Sequence, residues 1–179
     1  PDHDFLSVFC VLIRDESHSI RMEACVALNA LASRKTFTEP PSSFIKPEAA
    51  VMRIVESCKQ INLNAQSQFP INESFYEYQK KVVRIITSVG ETHLQSFKPS
   101  ASVVSEYMDL VCRCFEHPSK KITEMLMGVW YYVLERLAGY ISSPVVGSRI
   151  AWLASMLYEK VLRRGSPEDP ETSSPFTQY

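Results

Sequence analysis

The residues able to do chemistry are few and scattered. Cys112 and Cys114 form the one close cysteine pair, with His117 shortly after them. A structural zinc site needs two further ligands at recognisable spacing, and none follows, so the pair reads as ordinary packing inside a helix. His3, His18, His93 and His117 fall at the ends of helical patterns or in turns, where capping or solvent exposure accounts for them. No GxGxxG, HExxH, GxSxG or Walker-type phosphate loop occurs, and a chain with 5 glycines has little from which to build one. No stretch assembles a nucleophile, a base and an oxyanion site. Catalysis, a bound metal and a cofactor are therefore not expected.

The basic residues say more. At about 100° per residue, the apolar stripe of one predicted helix centres on Val82 and Val89, while Lys80 and Arg84 point the opposite way with Lys81 beside them. A second helix repeats this arrangement: Lys120 and Tyr131 lie opposite Val129 and Val133, with Lys121 and Tyr132 on the flank. Lys80, Lys81, Arg84, Lys120, Lys121 and Tyr131 are thus the candidate ligand-facing residues, a cationic wall of the kind that holds phosphates. A solvated helix face has the same pattern, and Glu77 and Glu124 stand at i,i+3 and i,i+4 spacing as ion partners. The spacing leaves both readings open. Trp130 is expected in the core and Tyr131 outside it, and Arg163-Arg164 complement a helix dipole.

The elements that position these residues are helices. Phe5, Val8, Phe9, Leu12 and Ile13 make one apolar face, and Ile20, Ala24, Ala27, Leu28 and Leu31 a second, with Ser19 placed to cap it. Residues 34–46, with Pro40-Pro41 and Ser42-Ser43, read as a helix-breaking linker. A third helix starts near Pro47 and carries Val51, Ile54, Val55, Cys58 and Ile61 on one side. After a polar loop over 62–70, Asn72 caps a fourth with Phe75, Tyr78, Val82, Ile85, Ile86 and Val89 on one face, ending before Lys98-Pro99. The fifth begins near Ser102 and stops at His117-Pro118. The sixth has Ser119 at its N-cap, a stripe of Ile122, Leu126, Val129, Trp130, Val133 and Leu137, and its end near Gly139. Ser143-Pro144 opens the seventh, with Ile150, Leu153, Leu157 and Val161 inward and Gly165 after it. No alternating strand-like run of useful length appears.

Paired helices whose starts lie about 40 to 55 residues apart suggest an all-α fold, an α-solenoid of seven helices over residues 1–165, with 166–179 a Pro, Ser and acid-rich tail. Composition agrees. At 179 residues, 45% hydrophobic and 22% charged, the chain is too apolar for disorder and long enough to bury a core. Its net charge of −1 argues that this stretch alone does not hold RNA tightly. No apolar run is long enough for a membrane span, and Asp2, His3 and Asp4 stand where a signal peptide carries basic residues. The 5 cysteines, odd in number and set in apolar stretches, read as reduced thiols of a cytosolic or nuclear protein. Pro1 in a helix-forming context, without a methionine, gives the expectation of a piece of a longer polypeptide.

The stretch Leu12-Ile13-Arg14-Asp15, followed by Ile20-Arg21, Ala24, Leu28 and Leu31, resembles the HEAT-repeat signature, in which a turn Asp precedes an Arg by six positions, here Asp15 and Arg21. The signature implies a carboxylate serving turn amides and an arginine laddering to the next repeat. The other pairs lack this signature, and Glu116-His117-Pro118-Ser119 stands in its place. Together with the segments Arg21 to Lys35, Gln79 to Phe97 and Tyr107 to Trp130, the chain resembles an N-terminal-half segment of importin-β-superfamily nuclear transport receptors, and its exportins in particular.

That resemblance implies a HEAT-repeat shell that binds Ran in its GTP form together with cargo, passes nucleoporins, and shuttles between nucleus and cytoplasm. The implied cargo is double-stranded or structured small RNA such as precursor microRNA, with tRNA or a protein as further cargoes. A-form RNA is read through shape, phosphate and 2′-OH, for which a basic lining suffices. Import receptors of the transportin-3 and importin-13 types share much of the pattern, and a static HEAT scaffold is the other alternative. No Ran-contact residue carries over to this sequence.

Overall fold

A computed structural model of the chain describes residues 4–35, 38–39, 43–44, 46–63, 72–136 and 144–162. Seven helices account for nearly all of it: α1 (Phe5–Leu12), α2 (His18–Ala32), α3 (Pro47–Lys59), α4 (Glu73–Phe97), α5 (Ala101–Phe115), α6 (Lys120–Arg136) and α7 (Pro144–Leu162). Within the expected linker, β1 (Thr38–Glu39) and β2 (Ser43–Phe44) pair antiparallel, Thr38 opposite Phe44. This pair is too short for an alternating pattern to announce it.

Local chemistry sets most of the starts. The Asp4 carboxylate accepts from Ser7 N at 2.9 Å and opens α1, and Asn72 Oδ1 accepts from Phe75 N at 3.2 Å and opens α4. Pro47 stands in the first turn of α3, where its missing N–H costs nothing. Ser119 Oγ accepts from Ile122 N at 3.4 Å at the head of α6. The start of α2 differs from expectation. Its N-cap is Ser17 rather than Ser19, because Asp15 Oδ1 accepts from Ser17 N at 2.8 Å and tightens the turn before it. Leu137, Gly139, Ser143 and Gly165 lie outside the described residues, as does the tail over 166–179, and nothing is described of the Val161 side chain.

The helices pack in two rows. α1, α3, α5 and α7 contact one another in succession, α2, α4 and α6 do the same, and each of α1, α3 and α5 packs on the helix that follows it. Neighbouring helices packed in this order are compatible with an α-helical repeat fold. One continuous core runs between the rows, with Leu28, Ile54, Ile86, Tyr107, Phe115 and Trp130 almost fully buried. Where α4 and α5 cross, Gly90 gives the room: a Cβ there would stand 2.2 Å from Tyr107 Oη. The Tyr107 hydroxyl donates to the Ile86 carbonyl at 3.0 Å, so the absent side chain lets two helices meet through a buried hydrogen bond.

Polar ties recur between successive helices of the first row. Arg53 pairs with Asp4, Lys59 with Glu106, and Arg149 with Asp109. Arg113 Nη1 donates to the Lys59 carbonyl at 3.3 Å, and Lys160 Nζ to the His117 carbonyl at 2.7 Å. A basic residue near the end of one helix thus meets carbonyls at the end of the preceding one, where the dipole is negative. Such exposed pairs contribute about 0.2–1 kcal/mol each and chiefly fix register.

Among the described residues Arg21 forms no ion pair with a carboxylate of another helix pair. Its Nη1 donates to the Asp15 and Glu16 carbonyls of its own turn at 3.1 and 3.3 Å, and the guanidinium lies 5.1 Å from the centre of the Tyr78 ring on α4. Asp15 Oδ1 does accept from a turn amide, that of Ser17, as the HEAT-repeat resemblance implies.

Candidate functional site

α4 and α6 lie side by side in the second row, so their outward faces adjoin. Lys80, Lys81, Arg84, Lys120 and Lys121 all sit on these faces toward the helix N-termini; Arg84, Lys120 and Lys121 are exposed, Lys80 and Lys81 half-buried. Tyr131 is 63% exposed, as expected, but lies eleven positions beyond Lys120, about 16 Å along the axis at 1.5 Å per residue. Trp130 is buried, as its place in the apolar stripe predicts.

The cations differ in their freedom. Lys80 Nζ lies 2.5 Å from a Glu77 carboxylate oxygen and 4.9 Å from the centre of the Tyr76 ring. Lys120 and Glu124 approach to 3.7 Å, both in solvent. Both predicted partnerships form. Among the described residues no ion pair engages Lys81, Arg84 or Lys121, so these three are the ones with a full charge to offer. Glu91, on the same face of α4, brings a carboxylate oxygen within 3.9 Å of where a Cβ of Gly128 would stand. The face is thus of mixed sign, cationic near the helix starts and acidic or apolar further along.

The remaining chemistry-bearing groups are turned inward. Cys10, Cys25, Cys58, Cys112 and Cys114 are free and buried. Burial pushes the thiols of Cys10, Cys112 and Cys114 up to about 12 and that of Cys25 to about 11, where the Lys81 charge partly offsets it. Cys58 is raised well above the ordinary thiol range by burial. None offers a thiolate nucleophile at neutral pH. No group of three or more His, Cys, Asp and Glu among the described residues is arranged to hold a metal ion.

Two histidines depart from expectation. His93 is fully buried between α4 and α2, its Nε2 2.9 Å from the Ala32 carbonyl, and burial lowers its pKa. His117 is buried in the α5–α6 turn, where Nδ1 accepts from Ser119 N at 3.0 Å. Burial first, and then the Lys160 charge, take its pKa down to about 4. Around it Tyr76 Oη meets Ser119 Oγ at 2.7 Å, while Lys160 Nζ reaches Thr123 Oγ1 at 3.0 Å besides the His117 carbonyl. One turn is thus gripped from α4, α6 and α7. The only sequence signal for this junction is the His-Pro-Ser break, which marks a turn without saying what covers it.

No protein-family profile, curated protein or solved structure matches the chain. No helix among the described residues is long and apolar enough to cross a membrane.

Proposed function

We propose that the chain is a segment of an α-solenoid transport receptor of the importin-β superfamily. The particular receptor it resembles is exportin-5, which carries structured small RNA with Ran in its GTP form from nucleus to cytoplasm. On this reading the chain is a binding shell without catalytic activity, and its partners are RanGTP, RNA cargo and nucleoporins. The reading is carried by the packing of α4 beside α6, which sets Lys80, Lys81, Arg84, Lys120 and Lys121 on adjoining helices. The resemblance of the segments around them to exportins supports it. A-form RNA asks for phosphate contacts rather than base readout, and lysines and an arginine on adjoining packed helices meet that need.

The test is binding of a hairpin RNA with a short 3′ overhang by the receptor that contains this chain, with and without Ran locked in its GTP form. Binding that requires RanGTP is the expected result. Reversing Lys81, Arg84 and Lys121 to Glu is then expected to weaken it and to flatten its salt dependence by about 0.7–0.9 in log–log slope for each phosphate no longer neutralised. Unchanged binding assigns the cations to a solvated face.

A second reading has an observation of its own. The Glu77–Lys80 and Glu124–Lys120 pairs and the nearby Glu91 make the face mixed in sign, which suits a protein cargo better than a polyanion. An import receptor of the transportin-3 or importin-13 type releases such a cargo when RanGTP binds, whereas a static scaffold is indifferent to Ran.

A further inference from the structure

The α5–α6 turn holds a titratable group in a constrained position. His117 is 6% exposed, and its Nδ1 accepts from Ser119 N at 3.0 Å. A neutral imidazole that accepts through Nδ1 bears its hydrogen on Nε2, so Nδ1 is the one site left for a second proton. That nitrogen is already in use. Ser119, which it holds, heads α6: its Oγ accepts from Ile122 N at 3.4 Å and lies 2.7 Å from Tyr76 Oη on α4. A proton cannot enter without parting the ring from the residue that starts the next helix.

A cation lies beside the same residue. Lys160 Nζ on α7 donates to the His117 carbonyl at 2.7 Å and to Thr123 Oγ1 at 3.0 Å, and stands 5.4 Å from the centre of the Phe115 ring. Other charges on the elements around the turn are matched or in solvent: Glu77 pairs with Lys80 on α4 and Glu124 with Lys120 on α6, while Glu73, Glu116, Lys121 and Glu159 are exposed. Among the described residues Lys160 is the one whose charge acts on the imidazole, opposing protonation second only to burial. Uptake of a proton therefore sets two cations together where little water screens them.

We propose that this turn is a proton-operated latch: a proton bound at His117 Nδ1 displaces Ser119 N–H, repels Lys160, and frees the end of α7 from the turn, while the Arg149–Asp109 pair keeps the start of α7 on α5. The released form regains an ordinary histidine. With the docked pKa at about 4 and the ordinary value near 6.5, acid favours release by up to about 300-fold, an effect absent above about pH 6.5 and complete below about pH 4. His93 differs. Its Nε2 lies 2.9 Å from the Ala32 carbonyl, an acceptor, so protonation leaves that bond in place. The inference does not depend on the transport reading.

The test is hydrogen exchange of the chain between pH 7 and 4.5, read by mass spectrometry as protection factors, beside the His117 C–H titration in NMR. Protection of residues 119–123 and 154–162 is expected to fall at least tenfold over that range, while that of residues 82–94 on α4 holds. His117→Asn, whose amide oxygen can accept from Ser119 N but takes up no proton, should remove the dependence, with circular dichroism to show that it folds. Lys160→Gln should move the His117 titration upward. Protection that falls equally in His117→Asn overturns the proposal, as does a loss spread evenly over 82–94. Should that variant not fold, the unmutated chain still decides: a His117 that titrates near 6.5 in the native chain overturns the latch. A titration that Lys160→Gln leaves in place overturns it as well.

Discussion

Replacing Gly90 by alanine tests the crossing of α4 and α5 directly. A methyl group there would meet Tyr107 Oη at 2.2 Å and Cζ at 3.2 Å, so the tyrosine must give way. Tyr107 is fully buried and its hydroxyl has the Ile86 carbonyl at 3.0 Å as its acceptor. Overpacking of this kind costs about 1–3 kcal/mol, and stranding a buried hydroxyl about 1–3 kcal/mol more. Alanine returns about 1 kcal/mol through its better helix propensity. The net expectation is a loss of about 3 kcal/mol, or about 6–12 °C in Tm for a chain of this size. Urea unfolding followed by circular dichroism reads it. Tyr107→Phe alone should cost about 1 kcal/mol, and Gly90→Ala with Tyr107→Phe should lose less than the sum of the single changes, because the offending oxygen is gone. A neutral or stabilising Gly90→Ala refutes the close approach. Strict additivity shows that the hydroxyl is not what the methyl meets.

Further outcomes follow from the same geometry. His117 is neutral in the folded chain with its pKa taken down to about 4, while the unfolded chain takes up a proton near 6.5. Stability should therefore be full above about pH 6.5 and fall as pH drops toward 4, by roughly 3 kcal/mol from this group, with His93 acting in the same direction. His117→Asn should flatten that slope in unfolding experiments run between pH 7 and 4.5. The five buried thiols should react with a disulfide reagent only along the denaturant transition; labelling of the native chain at the rate of a free thiol would contradict their burial. Asn72→Ala should cost about 1 kcal/mol through the lost cap on α4, and Asn72→Asp little. Trp130→Ala should cost about 3–5 kcal/mol, measured by the urea midpoint, since the indole is almost wholly enclosed.

Much of the fold is legible in the sequence because helix signals are local. The breaks at Pro47, Asn72, His117-Pro118 and Pro144 coincide with the observed helix limits to within a residue or two, and the pairs Glu77–Lys80 and Glu124–Lys120 follow from spacing along one helix. The candidate site is legible in part. Five cations do share adjoining helices, and Tyr131 is exposed on α6 about 16 Å further along the axis than Lys120.

By itself the sequence determined which segments are helical, which face of each is apolar, that Trp130 lies inside and Tyr131 outside, and that the cysteines stand unpaired. These properties depend on periodicity and on residues a turn or two apart. Tertiary structure alone decided which apolar faces find cover. Phe5, Val8 and Ile20 fit an inward pattern yet remain exposed; among the described residues α1 and α2 have further helices packed on one side only. It also decided that His93 and His117 are buried, and that Arg21 closes its own turn while its guanidinium lies against the Tyr78 ring of α4. An apolar stripe states that a face avoids water; which neighbour removes the water depends on how distant segments pack, and no local spacing records that.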